Sequence, residues 1–119
     1  MAWQIFGTRK SSDTRKAERF FKERGIKAQF IDLKEKEMSR NELASVCRAT
    51  GGALNLLDAS ARDQDAVALV KHIAEVNRED MLFRNQQVLR QPIVRLGKRA
   101  TAGYCPETWT AWLKEETAK

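Results

Sequence analysis

Apolar positions recur along this chain with two alternating periods, and each change of period marks a new element. Trp3, Ile5 and Phe6 form an apolar run that predicts a strand from Ala2 to Phe6. A polar stretch from Gly7 onward follows. Ala17, Phe20 and Phe21 then recur at helical spacing, so the stretch leads into an amphipathic helix. Ser12 or Asp13 can cap its start, and Gly25 is placed as its C′ residue. Ile26, Ala28 and Phe30 alternate with Lys27 and Gln29, which predicts a second strand; Ile31 breaks the alternation near its end. Two strands joined by a short crossover helix run parallel, with a right-handed connection.

The middle of the chain reads as helices. Ser39-Arg40-Asn41-Glu42 is a capping box, and Leu43, Val46 and Cys47 supply the inner face of the helix that it opens. That helix stops before Gly51-Gly52. Asp63 or Asp65 opens another, with Val67, Leu69, Val70 and Ile73 facing inward. Asp80 is expected to cap a third, carrying Met81, Leu82, Val88 and Leu89, which ends near Gln91 because Pro92 restricts the residue before it.

The last third changes period again. Pro92 to Leu96 reads as a strand, Gly97-Lys98 as a tight turn, and Arg99 to Tyr104 as the returning partner. Pro106 suits the first turn of a closing helix, whose Trp109, Trp112 and Leu113 share one face and are expected in the core. The order β-α-β, helices, β-β-α predicts an α/β domain over residues 1–119: a four-stranded mixed sheet flanked by helices, with no linker, repeat or low-complexity tract.

Composition narrows the class. At 119 residues, 42% hydrophobic and 32% charged, the chain is ordinary for one globular domain. No apolar run approaches the roughly 20 residues needed to span a bilayer. The start, Met1-Ala2-Trp3-Gln4, has no signal-peptide pattern, so a cytoplasmic location is expected. Cys47 and Cys105 form no C-x-x-C pair and no metal spacing with the single His72, for which an exposed or half-buried position is expected. No metal is expected, and no structural disulfide.

The net charge of +6 comes from 22 Lys and Arg against 16 Asp and Glu. Its excess gathers near the start (Arg9, Lys10, Arg15, Lys16) and in the last third (Arg84, Arg90, Arg95, Lys98, Arg99). Such a surface attracts an anion or an acidic protein. Direct nucleic-acid binding is not expected, because aromatic and basic residues do not interleave. Candidate anion- or partner-binding residues are Arg9, Lys10, Ser11, Ser12 and Arg15 around the predicted helix start, with Arg90 and Pro92 from the hairpin side. Cys105 precedes the closing helix, where a helix N-terminus lowers a thiol pKa, so it is the candidate for a relocated redox thiol; Cys47, on an apolar helix face, is expected to be inert.

Two segments carry a family resemblance. Gly7 through Ser11 to Arg15-Lys16-Ala17 is similar to a loop of the arsenate reductase/Spx group of thioredoxin-fold proteins, in which a cysteine is followed four positions later by Arg-Lys-Ala. Leu89 to Val94 and Gly97-Lys98-Arg99 to Gly103-Tyr104 resemble that group's Arg-Pro-Ile hairpin and its closing Gly-Tyr. The resemblance spans essentially the whole chain and implies a thioredoxin-like fold. It also implies a cis peptide at Gln91-Pro92, facing the front loop where thioredoxin folds receive peptide or glutathione.

The departures from the group's pattern bear on activity. The resemblance places the family cysteine on Ser11, the second cysteine of Spx-like members on Thr14, and the arginine before the cis-proline on Gln91, with Arg90 one residue earlier. The further oxyanion-binding arginine of arsenate reductases falls on Tyr104. A non-catalytic protein is therefore expected, with no catalytic residue and no cofactor, acting on a protein partner; for the Spx branch that partner is RNA polymerase. The alternative is a thiol- or glutathione-dependent reductase that uses Cys105, or weak binding of an oxyanion or glutathione.

Overall fold

The computed structural model describes residues 2–117. Its elements are β1 (Trp3–Gly7), α1 (Ser12–Glu23), β2 (Ala28–Asp32), α2 (Arg40–Thr50), α3 (Gln64–His72), α4 (Glu75–Arg84), β3 (Ile93–Leu96), β4 (Arg99–Ala102) and α5 (Pro106–Thr117), with 3-10 turns at Ala53–Leu56 and Gln86–Val88. The sheet order is β2-β1-β3-β4. β1 runs parallel to β2, with Trp3 opposite Ala28, and antiparallel to β3, with Ile5 opposite Val94. β3 and β4 form the hairpin.

Strand alternation sends side chains to two cores. Trp3, Ile5, Val94 and Leu96 face α1 and α5, where Ala17, Phe20, Phe21, Trp109 and Trp112 close over them. Trp109 is fully buried, with Phe20 and Phe21 each 5.3 Å away between ring centroids, and its indole N–H donates to Thr101 Oγ1 at 2.8 Å. Phe6 and Ile93 face the opposite side and pack with Leu43 and Val46 of α2, Val70 of α3 and Leu82 of α4.

Four local expectations need correction. The cap of α1 is Ser11 rather than Ser12 or Asp13: Ser11 has extended backbone (φ −76°, ψ 121°), which lets its side chain accept from the Thr14 N–H. Asp80 does not cap a helix. α4 starts at Glu75, and Asp80 lies inside it, accepting from Arg84 Nε at 2.9 Å one turn on and from Arg40 Nη1 of α2 at 2.7 Å. The i, i+4 pair with Arg84 offsets part of the cost of an aspartate inside a helix. The same helix stops at Arg84, well before Gln91. There buried Gln86 takes over, its amide oxygen accepting from Met38 N at 2.8 Å and its amide nitrogen donating to Met38 O at 2.9 Å. Leu69, expected to face inward, is 53% exposed, because α3 turns Ala66, Val67 and Val70 to the core.

Candidate functional site: the cleft between the α1 start and the cis-proline

β1 ends at Gly7, where the backbone passes close to α1. A Cβ added at Gly7 would lie 2.5 Å from Thr14 Oγ1, so the first turn of α1 packs here only against a glycine. Thr8, Arg9 and Lys10 then turn the chain, closed by the Ser11 N–H donating to Thr8 O at 3.1 Å. Ser11 Oγ accepts from Thr14 N at 3.2 Å, which satisfies one of the free donors at the helix start. Thr14 itself is fully buried.

The hairpin side supplies the other wall. The Gln91-Pro92 peptide is cis. Pro92 is buried, and its carbonyl accepts from Gly103 N at 2.9 Å. Gln91 points its amide oxygen into the front loop, where it accepts from Thr8 N at 2.7 Å and Thr8 Oγ1 at 3.0 Å, with Thr14 Oγ1 at 3.5 Å. One neutral side chain thereby occupies loop donors that would otherwise be open to a ligand. This connection joins residues 83 positions apart, and nothing in the local pattern announces it.

The cleft between these walls has a volume of about 480 Å³. Lys10, Ser11 and Ser12 line it with Gln91, as does Arg62 from the loop before α3. Nothing in the local sequence marks Arg62, because its approach depends on the helical segment packing over the sheet face that carries Phe6 and Ile93. Two carboxylates, Asp13 and Asp58, face the same space, so the cations of the cleft are balanced by anions. The amino group of Lys34, which can pair with Lys10 only if one of the two gives up a proton, holds Lys10 below the ordinary lysine range, and its like charge acts in the same direction.

The remaining candidates lie elsewhere. Arg15 donates from Nη1 to Arg9 O at 2.6 Å, pinning the turn from outside. Arg9 sits over the Phe30 ring at 4.5 Å and 3.7 Å from Glu18. Both arginines border a different groove, beside β2. Arg90 packs its guanidinium on Gly103, where an added Cβ would lie 3.2 Å from Nη2. The structure therefore gathers Lys10, Ser11, Ser12 and the cis-proline segment, and it disperses the three arginines.

Neither thiol is prepared for chemistry. Burial pushes the Cys47 thiol up to about 12, with the neighbouring Glu79 carboxylate acting in the same direction. Cys105 precedes Pro106 as expected, yet burial raises its pKa despite a hydrogen bond from Thr101 and the charge of Arg90. Its Sγ lies 3.5 Å from Ala102 O. Proximity to the helix start does not overcome the loss of solvent. His72 is exposed at the end of α3 and does not line the cleft, so no imidazole is there to activate the Ser11 hydroxyl. Among the described residues no cluster of His, Cys, Asp and Glu could hold a metal ion, and no helix is long and apolar enough to cross a membrane.

No family model and no curated protein matches the chain. Solved structures do. An arsenate reductase from Vibrio cholerae superposes with a TM-score of 0.77 at 20% identity, over 91% of this chain and 94% of its own. A protein from Bacteroides fragilis described as related to the ArsC family gives a TM-score of 0.82 at 17% identity, over 93% and 97%. An arsenate reductase (ArsC) related protein from Brucella melitensis gives 0.65 at 16%, over 96% of both chains. At these identities the likeness defines the fold: an α/β, thioredoxin-like fold of the arsenate reductase type.

Proposed function

We propose that this chain is a non-catalytic relative of the arsenate reductase/Spx group that works by binding a protein partner. The observation that carries the reading is the state of Ser11. Where the resemblance puts the reactive cysteine, a hydroxyl serves as the cap of α1. Arsenate reduction by this group proceeds through thiolate–arsenic and disulfide intermediates, and a hydroxyl forms neither. A serine also needs a base to become a nucleophile, and the cleft holds no histidine.

Gln91 supports the same reading. An arginine there would offer a bidentate anion clamp. The glutamine instead closes the loop upon itself. With Arg9 and Arg15 directed away and Asp13 and Asp58 facing the cleft, the charge balance disfavours an oxyanion, although Lys10, Ser11 and Ser12 leave room for a small ligand such as the tripeptide glutathione. The partner suggested by the Spx-like hairpin is RNA polymerase, in the cytoplasm. A regulator with Ser11 and Thr14 in place of a cysteine pair would not respond to thiol oxidation at that site.

An arsenate-dependent NADPH oxidation assay, coupled through glutathione and glutaredoxin, tests this directly. The unmodified chain is expected to show no rate above background. A rate that disappears in Cys105→Ser would instead support the relocated-thiol reductase, and one that disappears in Ser11→Ala would overturn the account of the cleft.

A further inference from the structure

β2 is an outer strand of the sheet, and no backbone or side-chain hydrogen bond among the described residues covers the outer edge of Ala28–Ile31. An outer strand of this kind leaves peptide N–H and C=O groups free to pair with another extended segment. Alongside it runs a groove of about 610 Å³ between β2 and α1. Its floor is apolar: Ile5, Phe21, Ile26, Ala28 and Phe30. Ile26, Ala28 and Phe30 pack on the α1-side core and are only partly buried.

The rim is cationic. Arg15, Arg19 and Lys22 project from one side of α1, at i, i+4 and i+7. Arg9 and Lys27 add to them, and Glu18 is the one carboxylate among the lining residues. Arg9 pairs with Glu18, while Arg15, Arg19, Lys22 and Lys27 have no carboxylate within 4 Å among the described residues. We infer that the β2 edge is a docking site for an extended, acidic peptide segment of a partner protein, which adds as a fifth strand and places Asp or Glu side chains along the α1 arginine–lysine row.

Charge selects this occupant over a second copy of the chain. A copy would bring the same cations to the edge and carries a net charge of +6. Like charges across a contact disfavour it strongly. Main-chain pairing supplies affinity in such an arrangement, and the side chains supply the choice of partner. Alternate side chains of a strand leave opposite faces, so the acids face α1 and the apolar residues between them lie on the other face, beside the partly buried Ile31. This inference rests on the protein-binding reading, but its failure is separable: arsenate turnover tests that reading and leaves the β2 edge untouched.

The experiment uses the whole chain labelled with ¹⁵N and a synthetic eight-residue peptide of alternating Val and Glu, blocked at both ends. Titration is expected to shift the amide signals of residues 28–32 and of α1 residues 15–22, with binding that weakens as salt rises from about 50 to about 300 mM. The same peptide methylated on every backbone nitrogen keeps its charge and loses its pairing, and it is expected to bind at least about tenfold more weakly. Arg19→Glu combined with Lys22→Glu is expected to produce a similar loss, with an unchanged urea midpoint showing that the fold is retained. The inference is overturned by the absence of any shift at about 1 mM peptide. Equal binding of a control peptide in which every Glu is replaced by Lys, equal binding of the methylated peptide, or shifts confined to residues 8–14 and 91 would overturn it as well.

Discussion

At the scale of single residues, the cleft side of the molecule is governed by where two oxygens point. Ser11 Oγ holds the start of α1, and Gln91 Oε1 holds the turn before it. The first was partly legible: a strand, a polar loop and a helix locate the junction, but Ser11, Ser12 and Asp13 are all good caps by residue type. The extended backbone at Ser11 decides among them, and sequence does not carry it. The second was not legible, since a glutamine reads only as an arginine lost until the fold brings it to Thr8. The thiols yield a prediction at this scale. With its pKa near 12, Cys47 should resist iodoacetamide at pH 7.5, while Cys105, raised but half-exposed, should react faster than Cys47 and more slowly than a free peptide thiol. Quantitative mass spectrometry of the two peptides would check the order; a Cys105 rate above that of the free thiol would contradict the burial argument.

At the scale of elements, close approach and ion pairing decide what the periodicity leaves open. β1 meets α1 at Gly7, and Gly7→Ala would drive a methyl to 2.5 Å from Thr14 Oγ1 and 2.9 Å from Thr14 Cγ2. A destabilisation of about 1–3 kcal/mol is expected from urea unfolding. Thr14→Ala removes both of those atoms, so the Gly7→Ala penalty should shrink in that background; additive penalties would mean that the contact is not the cause. α4 shows why helix boundaries went astray. Asp80 matches a cap by type, yet its carboxyl is engaged by Arg40 and Arg84, whose hydrogen bonds hold its pKa below the ordinary aspartate range. Because the folded value is the depressed one, the stabilisation is present above the unfolded value of about 3.9 and is lost as pH falls through the folded value. The urea midpoint of the unmodified chain should therefore exceed that of Asp80→Asn at pH 7, and the two should converge toward about pH 2.5. A difference that persists undiminished in acid would rule out the carboxylate as its source.

At the scale of the whole molecule, the order of elements was legible because each period change leaves a mark. Trp3 and Ile5 face one core and Phe6 the other, as the pleat requires, and the crossover through α1 makes β1 and β2 parallel. The distribution of charge was not legible in the same way. Arg9, Lys10 and Arg15 are neighbours in sequence, yet the turn closed by Ser11 sends the arginines to the β2 groove and Lys10 to the cleft. The molecule therefore separates a nearly charge-balanced cleft from a cationic sheet edge, and the proposed peptide docking belongs to the edge rather than to the cleft.

We propose that the cleft keeps the setting for a reactive thiol and lacks the sulfur. Ser11→Cys in the otherwise unmodified chain tests it, with the alkylation rate at position 11 followed by mass spectrometry across a pH series. The donors at the start of α1 are expected to give a thiol pKa below the free value of about 8.5. A value at or above 8.5 would show that the surroundings of Ser11, and not one atom alone, differ from those of a thiol site.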